Sequence, residues 1–325
     1  MRVTALAGGT GAARFLRGLV RHLEAHVATP QLTIIGNTAD DLGVYGLHVS
    51  PDLDTVMYTL GGGVHEEQGW GRDGDTFAVQ HELAAYGVQP QWFGLGDRDL
   101  ATHILRTQML ARFPLSEVTG VLCRRWFADL PIPTRLLPMS DDRVETHIIV
   151  RGSGEERRAI HFQEWWVRHR ATIPAERIVI VGIENAEPAP GVLDAIASAD
   201  VVLLPPSNPV VSIGPILSVP GVREALHTST APVVGLSPII GGRPLRGMAD
   251  ACLTAIGVES SAAGVAGLFV DVLDGWLVDD ADAGEVEAVA GLGVRCRAMP
   301  LLMRDVPSAA AMAEAALGLA FESKR

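Results

Sequence analysis

Gly8-Gly9-Thr10-Gly11 stands between an apolar run, Val3 to Ala7, and the helix-like stretch Ala12 to Leu19. Three glycines in four positions leave backbone N–H groups uncovered where a helix begins, and the positive end of the helix dipole there attracts an anion. A phosphate suits that chemistry. The turn has neither the lysine of a P-loop nor the spacing of a dinucleotide fingerprint, and a tight strand-to-helix turn without a ligand would use the same residues. Carboxylates follow. Asn37-Thr38-Ala39-Asp40-Asp41 closes a second apolar run, Gln31 to Gly36, so Asp40 and Asp41 fall at a strand's carboxyl end, the edge where open parallel sheets bind ligands. A solvated turn with Asp as a cap is the competing reading.

Ser50-Pro51-Asp52-Leu53-Asp54 reads as an N-cap, a first helical residue and an acidic first turn. The helix dipole alone accounts for acids there, at about 0.3–1 kcal/mol each. Two carboxylates reaching a phosphate from separate loops is also how Mg²⁺ is held. Trp70 to Phe77 is a glycine-rich loop suited to closing over a ligand, with a helix from about Thr76 to Tyr86, a short strand at Gln91 to Leu95, and a helix opening at Gly96. That last helix carries Arg98, the best candidate for a phosphate or acidic-substrate contact. It also carries His103, which its place on an amphipathic helix makes a pocket wall rather than a general base.

The elements that must position these residues alternate between strand and helix. Val201 to Leu204, Pro232 to Leu236 and Leu273 to Val278, together with Ile178 to Val181, are near-continuous apolar runs of the kind buried in parallel sheets. Two of them end in polar loops at Pro206–Pro215 and Ser237–Pro244, where Ser207, Asn208, Ser237 and Gly241 would meet a base or a phosphate. Val294 to Ala298 reads as a last strand, and Pro307 to Ala320 as an alanine-rich helix packed on the sheet. Residues 127–170 differ in texture: Glu145–Val150 and Arg157–Phe162 alternate like half-exposed antiparallel strands, and Trp165-Trp166 either plugs a seam or stacks on an aromatic substrate. The expected fold is α/β, a Rossmann-like, mostly parallel sheet flanked by helices, formed by residues 1–126 and 171–325 with a smaller α+β insertion at 127–170.

The 325 residues carry 26 Lys and Arg against 38 Asp and Glu, a net charge of -12, which argues against non-specific binding to nucleic acid or a membrane surface. The single lysine, Lys324, stands in the tail, so lysine chemistry is excluded from the site. Cys123, Cys252 and Cys296 are far apart and form no CxxC pair. No apolar run approaches the roughly 20 residues of a membrane span. A cytoplasmic protein is expected, with a symmetric homodimer as the commonest assembly.

In order along the chain, GGTGAARFLRGL, NTADD, SPDLDTVMYTLGG, WGRDGDTF, LGDRDLATHIL, LPMSDD, IHFQEWWV, PPSNPVVSIGPIL, SPIIGG and PLRGMAD resemble the 2-phospholactate/phosphoenolpyruvate transferase family of coenzyme F-420 biosynthesis, and its actinobacterial phosphoenolpyruvate type most. The likeness covers nearly the whole chain. It implies transfer from enolpyruvyl- or lactyl-diphospho-5'-guanosine to the ribityl hydroxyl of 7,8-didemethyl-8-hydroxy-5-deazariboflavin (Fo), with GMP leaving. It implies that Asp40 and Asp54 hold Mg²⁺ beside the acceptor, either of them also serving as proton acceptor, and that Gly8, Gly9, Thr10 and Gly11 cradle donor phosphates. Ser207, Asn208, Ser237 and Gly241 are assigned by the same likeness to the nucleotide, and the insertion to the acceptor pocket. Gly94 falls at an acceptor contact that is a lysine in some relatives, which leaves Arg98 as the substitute. A regulatory nucleotide-sugar binder of the gluconeogenesis-factor type shares the Gly-Thr-Gly turn, but the SPDLDT and LGDRD blocks count against it. An NAD-dependent dehydrogenase would need Asp40 on a ribose and a different glycine spacing.

Overall fold

A single residue, Gly8, separates the strand β1 (Arg2–Ala7) from the helix α1 (Gly9–His26) in the computed structural model, which describes residues 1–152, 156–245 and 247–322. Arg246 of the PLRGMAD block and Lys324 lie outside the described residues. β1 lies inside the main sheet, and both of its faces are apolar. Val3, Ala5 and Ala7 point into one core with Phe15, Leu16 and Leu19 of α1, while Leu6 points into a second core on the other face. Val201–Leu204 divides in the same way, Val201 and Leu203 to the first core and Val202 and Leu204 to the second. This period-two division between two helical layers is what makes parallel strands read as unbroken apolar runs.

Seven parallel strands form the main sheet in the order Arg295–Ala298, Gly275–Val278, Val233–Leu236, Val201–Leu204, β1, β2 (Gln31–Gly36) and Thr134–Pro138. From β1 the chain first winds outward through β2, then returns to Val201–Leu204 on the opposite side. The crevice between the carboxyl ends of β1 and Val201–Leu204 is therefore the switch point of the sheet, the place where such folds bind ligands.

Three expectations change. Thr134–Pro138, inside the stretch read as an insertion, pairs with β2 as the edge of the main sheet. Ile178 to Val181, read as a main-sheet strand, belongs to Ala175–Val181, which pairs antiparallel with Glu145–Arg151; that strand also carries Arg157–His161 on its other edge. Its apolar side covers Trp165, Val211 and Cys252, which stand on the short helices Glu164–Arg168, Pro209–Ile213 and Ala249–Ala255. Gln91 to Leu95 is irregular: the Leu95 amide donates to Gln80 Oε1 at 3.3 Å, a side chain standing where a neighbouring strand would. The small three-stranded sheet thus sits on Pro209–Ile213, above the switch point.

Candidate active site

A cleft of about 840 Å³ opens at the switch point, lined by Gly8, Gly9, Thr10 and Gly11, by Asp40, Asp52 and Asp54, and by Gly94, Ser207, Asn208 and Ser237. The glycine turn is placed by two close approaches. A Cβ on Gly11 would lie 2.3 Å from the Pro206 carbonyl oxygen, and one on Gly8 would lie 2.6 Å from Asp52 Oδ2. Gly8 N also donates to Ser207 Oγ at 3.5 Å. Packing against the neighbouring loop is therefore part of why glycine stands here, besides any ligand.

The acidic residues divide by helical geometry. Asp52 and Asp54 lie two positions apart on α2 (Pro51–Leu60), about 200° around the axis, and cannot face the same point. Asp52 turns toward β1 and β2, where Asn37 Nδ2 donates to its Oδ2 at 2.9 Å and to Asp40 Oδ1 at 3.2 Å. Gln163 from the insertion donates to Asp40 Oδ2 at 2.8 Å, and Ser212 Oγ to Asp52 Oδ2 at 3.4 Å. Burial, with the charge of Asp52 and then Asp41, drives the Asp40 carboxyl well above its ordinary range. Burial, only partly offset by the Asn37 hydrogen bond, pushes Asp52 up to about 7.

Asp54 turns the other way, onto Arg106. The guanidinium donates from Nη1 to Asp54 Oδ2 at 3.0 Å and from Nη2 to Oδ1. His103 lines the cleft, as its place on the Asp97–Leu110 helix suggests, but it is also 1% exposed and 3.7 Å from Asp54. The carboxylates bridged by a common donor are thus Asp40 and Asp52, not Asp40 and Asp54. Asp52, for which the sequence offers only the helix-dipole role it shares with Asp54, is the acid that this bridge joins to Asp40. Asn37 and Gln163 carried no signal: an amide declares itself only through what it bonds, and Gln163 lies 123 positions from Asp40.

Other residues depart from expectation in instructive ways. Ser50 leaves the α2 backbone uncapped and donates instead to Asp41 Oδ2 at 2.7 Å. Arg98 is exposed and turned away from the cleft, its Nη1 donating to the Asp73 carbonyl at 3.1 Å. The reason lies in the helix start: Asp75 accepts from the Arg98 and Asp99 amides while Asp97 accepts from Ala78 and Val79, so two helix N-termini cap each other and fix Arg98 outward. Gly241 does not line the cleft; its amide donates to Asp282 Oδ2 at 2.8 Å. Asn208 does line it, but its Oδ1 caps the Val210 and Val211 amides, and Ser237 Oγ is held within its own turn by Ile239. Of the two tryptophans, Trp165 is fully buried and donates to the Ile173 carbonyl at 2.8 Å, whereas Trp166 lines the cleft beside Phe162.

The family model for the 2-phospho-L-lactate transferase CofD matches residues 3–290. The chain belongs to that family. Among CofD-family relatives, the phosphoenolpyruvate transferase of Streptomyces griseus is 63% identical, covering 99% of each chain. That of Mycolicibacterium smegmatis is 52% identical over 98% of this chain and 99% of its own. A UPF0052-family protein from Bacillus halodurans shares the fold, with a TM-score of 0.61 at 20% identity, covering 97% of this chain and 99% of that one. As a CofD-family protein the chain is a member of a transferase family with an α/β fold, and none of its described helices is long and apolar enough to cross a membrane.

The cleft also fits a hard divalent cation. Asp40 and Asp52 are buried carboxyl groups held by the neutral side chains of Asn37, Gln163 and Ser212, so their oxygens are hard donors, and a bound cation would favour the ionised form that burial alone opposes. No group of three or more His, Cys, Asp or Glu residues able to hold a metal occurs among the described residues. A pair is what Mg²⁺ ordinarily takes from a protein, phosphate oxygens and water completing its octahedron.

Proposed function

We propose that this protein transfers the phosphoenolpyruvate group of enolpyruvyl-diphospho-5'-guanosine to the ribityl hydroxyl of Fo. The hydroxyl oxygen bonds to the phosphorus bearing the enolpyruvyl group, the bridging P–O bond to GMP breaks, and the proton leaves through the departing phosphate. Dehydro coenzyme F-420-0 and GMP result. One observation carries this reading: the helix N-terminus at Gly8 to Gly11 and the Asp40–Asp52 pair share one cleft. One favours the anionic diphosphate, the other a cation that neutralises it.

Asp40 and Asp52 would hold Mg²⁺, which supplies charge neutralisation on the transferring group. The backbone amides of the glycine turn would bind the donor's phosphate oxygens, and Ser207, within reach of Gly8, would add a hydroxyl donor. Asp54 faces the same cleft and would accept a hydrogen bond from the ribityl hydroxyl, aligning it with the departing GMP. Phosphoryl transfer through a loose transition state needs positioning more than a strong base, which suits a carboxylate already paired with Arg106. Phe162 and Trp166 offer the aromatic wall for a deazaflavin ring. The phosphoenolpyruvate transferase names of the Streptomyces and Mycolicibacterium relatives favour the enolpyruvyl donor.

A ligand panel read by thermal unfolding tests the reading. GDP with Mg²⁺ and Fo should raise the melting temperature together, by mass action. Stabilisation by UDP-N-acetylglucosamine or NAD, with none from GDP and Fo, would move the protein to the regulatory binders or the dehydrogenases.

A further inference from the structure

Behind Asp54 lies a buried charged array that the transfer as written does not use. Arg106 is 1% exposed and is not among the cleft-lining residues. Its Nη1 and Nη2 both reach the Asp54 carboxylate, its Nη1 also lies 3.2 Å from His103 Nδ1, and its Nε is buried without a partner. A guanidinium only donates, so the contact assigns His103 Nδ1 as acceptor and the ring proton to Nε2. His103 Nε2 lies 3.3 Å from Asp99 Oδ2, and Tyr58 donates to Asp99 Oδ1 at 2.6 Å. The donors of Arg106 that find partners are thus spent on one carboxylate and on the ring wedged beside it.

We propose that Arg106 is a positioning residue acting through Asp54, and that the two form a unit that sets the affinity and alignment of the acceptor hydroxyl without touching the donor nucleotide. The two-point grip fixes the plane of the carboxylate. Only the lone pairs that the guanidinium leaves uncovered remain for the cleft, so the hydroxyl meets an oxygen of fixed direction. His103, pressed between Arg106 and Asp99, keeps the guanidinium from swinging away. Lysine at 106 would keep the charge and lose the grip. The inference rests on the transferase reading, in which Asp54 meets the acceptor.

The test is a double-mutant cycle of Arg106→Lys and Asp54→Asn, read twice in the full-length protein. Fo affinity is measured by deazaflavin fluorescence titration, and kcat by GMP release. Arg106→Lys should weaken Fo binding and lower kcat, each at least tenfold, yet leave calorimetric affinity for GDP with Mg²⁺ within twofold. In the Asp54→Asn background the same change should alter either quantity less than twofold. Equal effects of Arg106→Lys in both backgrounds, or parallel loss of GDP affinity, would overturn the proposal and leave Arg106 a structural residue. If Arg106→Lys does not fold, Arg106→Gln takes its place in the cycle. Wild-type protein that binds Fo but releases no GMP would sink the transferase reading, while the binding cycle still decides the role of Arg106.

Discussion

Asn37 Nδ2 donates to Asp52 Oδ2 at 2.9 Å, and the same nitrogen lies 3.2 Å from Asp40 Oδ1. One neutral amide is thus shared by two buried carboxylates. Replacing it with Ala should leave both acids short of a donor and facing each other, at a stability loss of about 1–3 kcal/mol. Urea unfolding of Asn37→Ala without divalent cation measures this. An unchanged midpoint would mean that the bridge holds nothing.

The same pair predicts a pH dependence. Asp40 and Asp52 are both raised above the carboxyl's ordinary 3.8, Asp52 to about 7. Between roughly pH 4 and pH 7 the unfolded chain therefore releases the Asp52 proton before the folded protein does, and Asp40 acts in the same direction, so metal-free stability falls as pH rises through that window. The full Asp52 contribution is on the order of 4 kcal/mol. Asp52→Asn should flatten the curve and exceed wild type in stability at pH 8, and Mg²⁺ should narrow that gap by stabilising wild type alone. A variant less stable than wild type at pH 8 would contradict this account of Asp52.

Gly11→Ala separates packing from ligand binding at the glycine turn. Its new Cβ would meet the Pro206 carbonyl oxygen at 2.3 Å, a backbone contact that cannot swing aside. The expected loss is about 1–3 kcal/mol in the ligand-free protein, read as a lower denaturation midpoint. Full stability with weakened GDP binding would show that the glycine serves the ligand alone.

The parallel strands and the glycine turn were legible because their signals are local: unbroken apolar runs, and glycines at a strand's end. The carboxylates at 40, 52 and 54 were legible as a group, but their division was not. Period-3.6 geometry separates Asp52 from Asp54, yet which one faces the phosphate turn depends on Asn37 and Arg106, residues whose partners lie 15 and 52 positions away. Arg98 misled for a related reason. An arginine beside a strand end looks like an anion contact until the crossed caps of Asp75 and Asp97 turn its helix start outward. Ile178 to Val181 misled because an apolar run does not say which sheet it joins.

Arg98→Ala tests that correction. With its side chain bonded to the Asp73 carbonyl and exposed, its removal should change turnover less than about threefold, on the scale of an exposed contact worth under 1 kcal/mol. A hundredfold loss in kcat/KM would return Arg98 to the site.

The central claim is the transfer itself, and a mass-spectrometric turnover assay tests it most directly. Fo, Mg²⁺ and protein are mixed with enolpyruvyl- or lactyl-diphospho-5'-guanosine in separate reactions, and GMP and the phosphodiester are followed together. The account predicts both products in equal amounts, fastest with the enolpyruvyl donor, and a loss of about 10² or more in rate for Asp54→Asn. Folded protein that binds GDP yet forms no phosphodiester from either donor would contradict it.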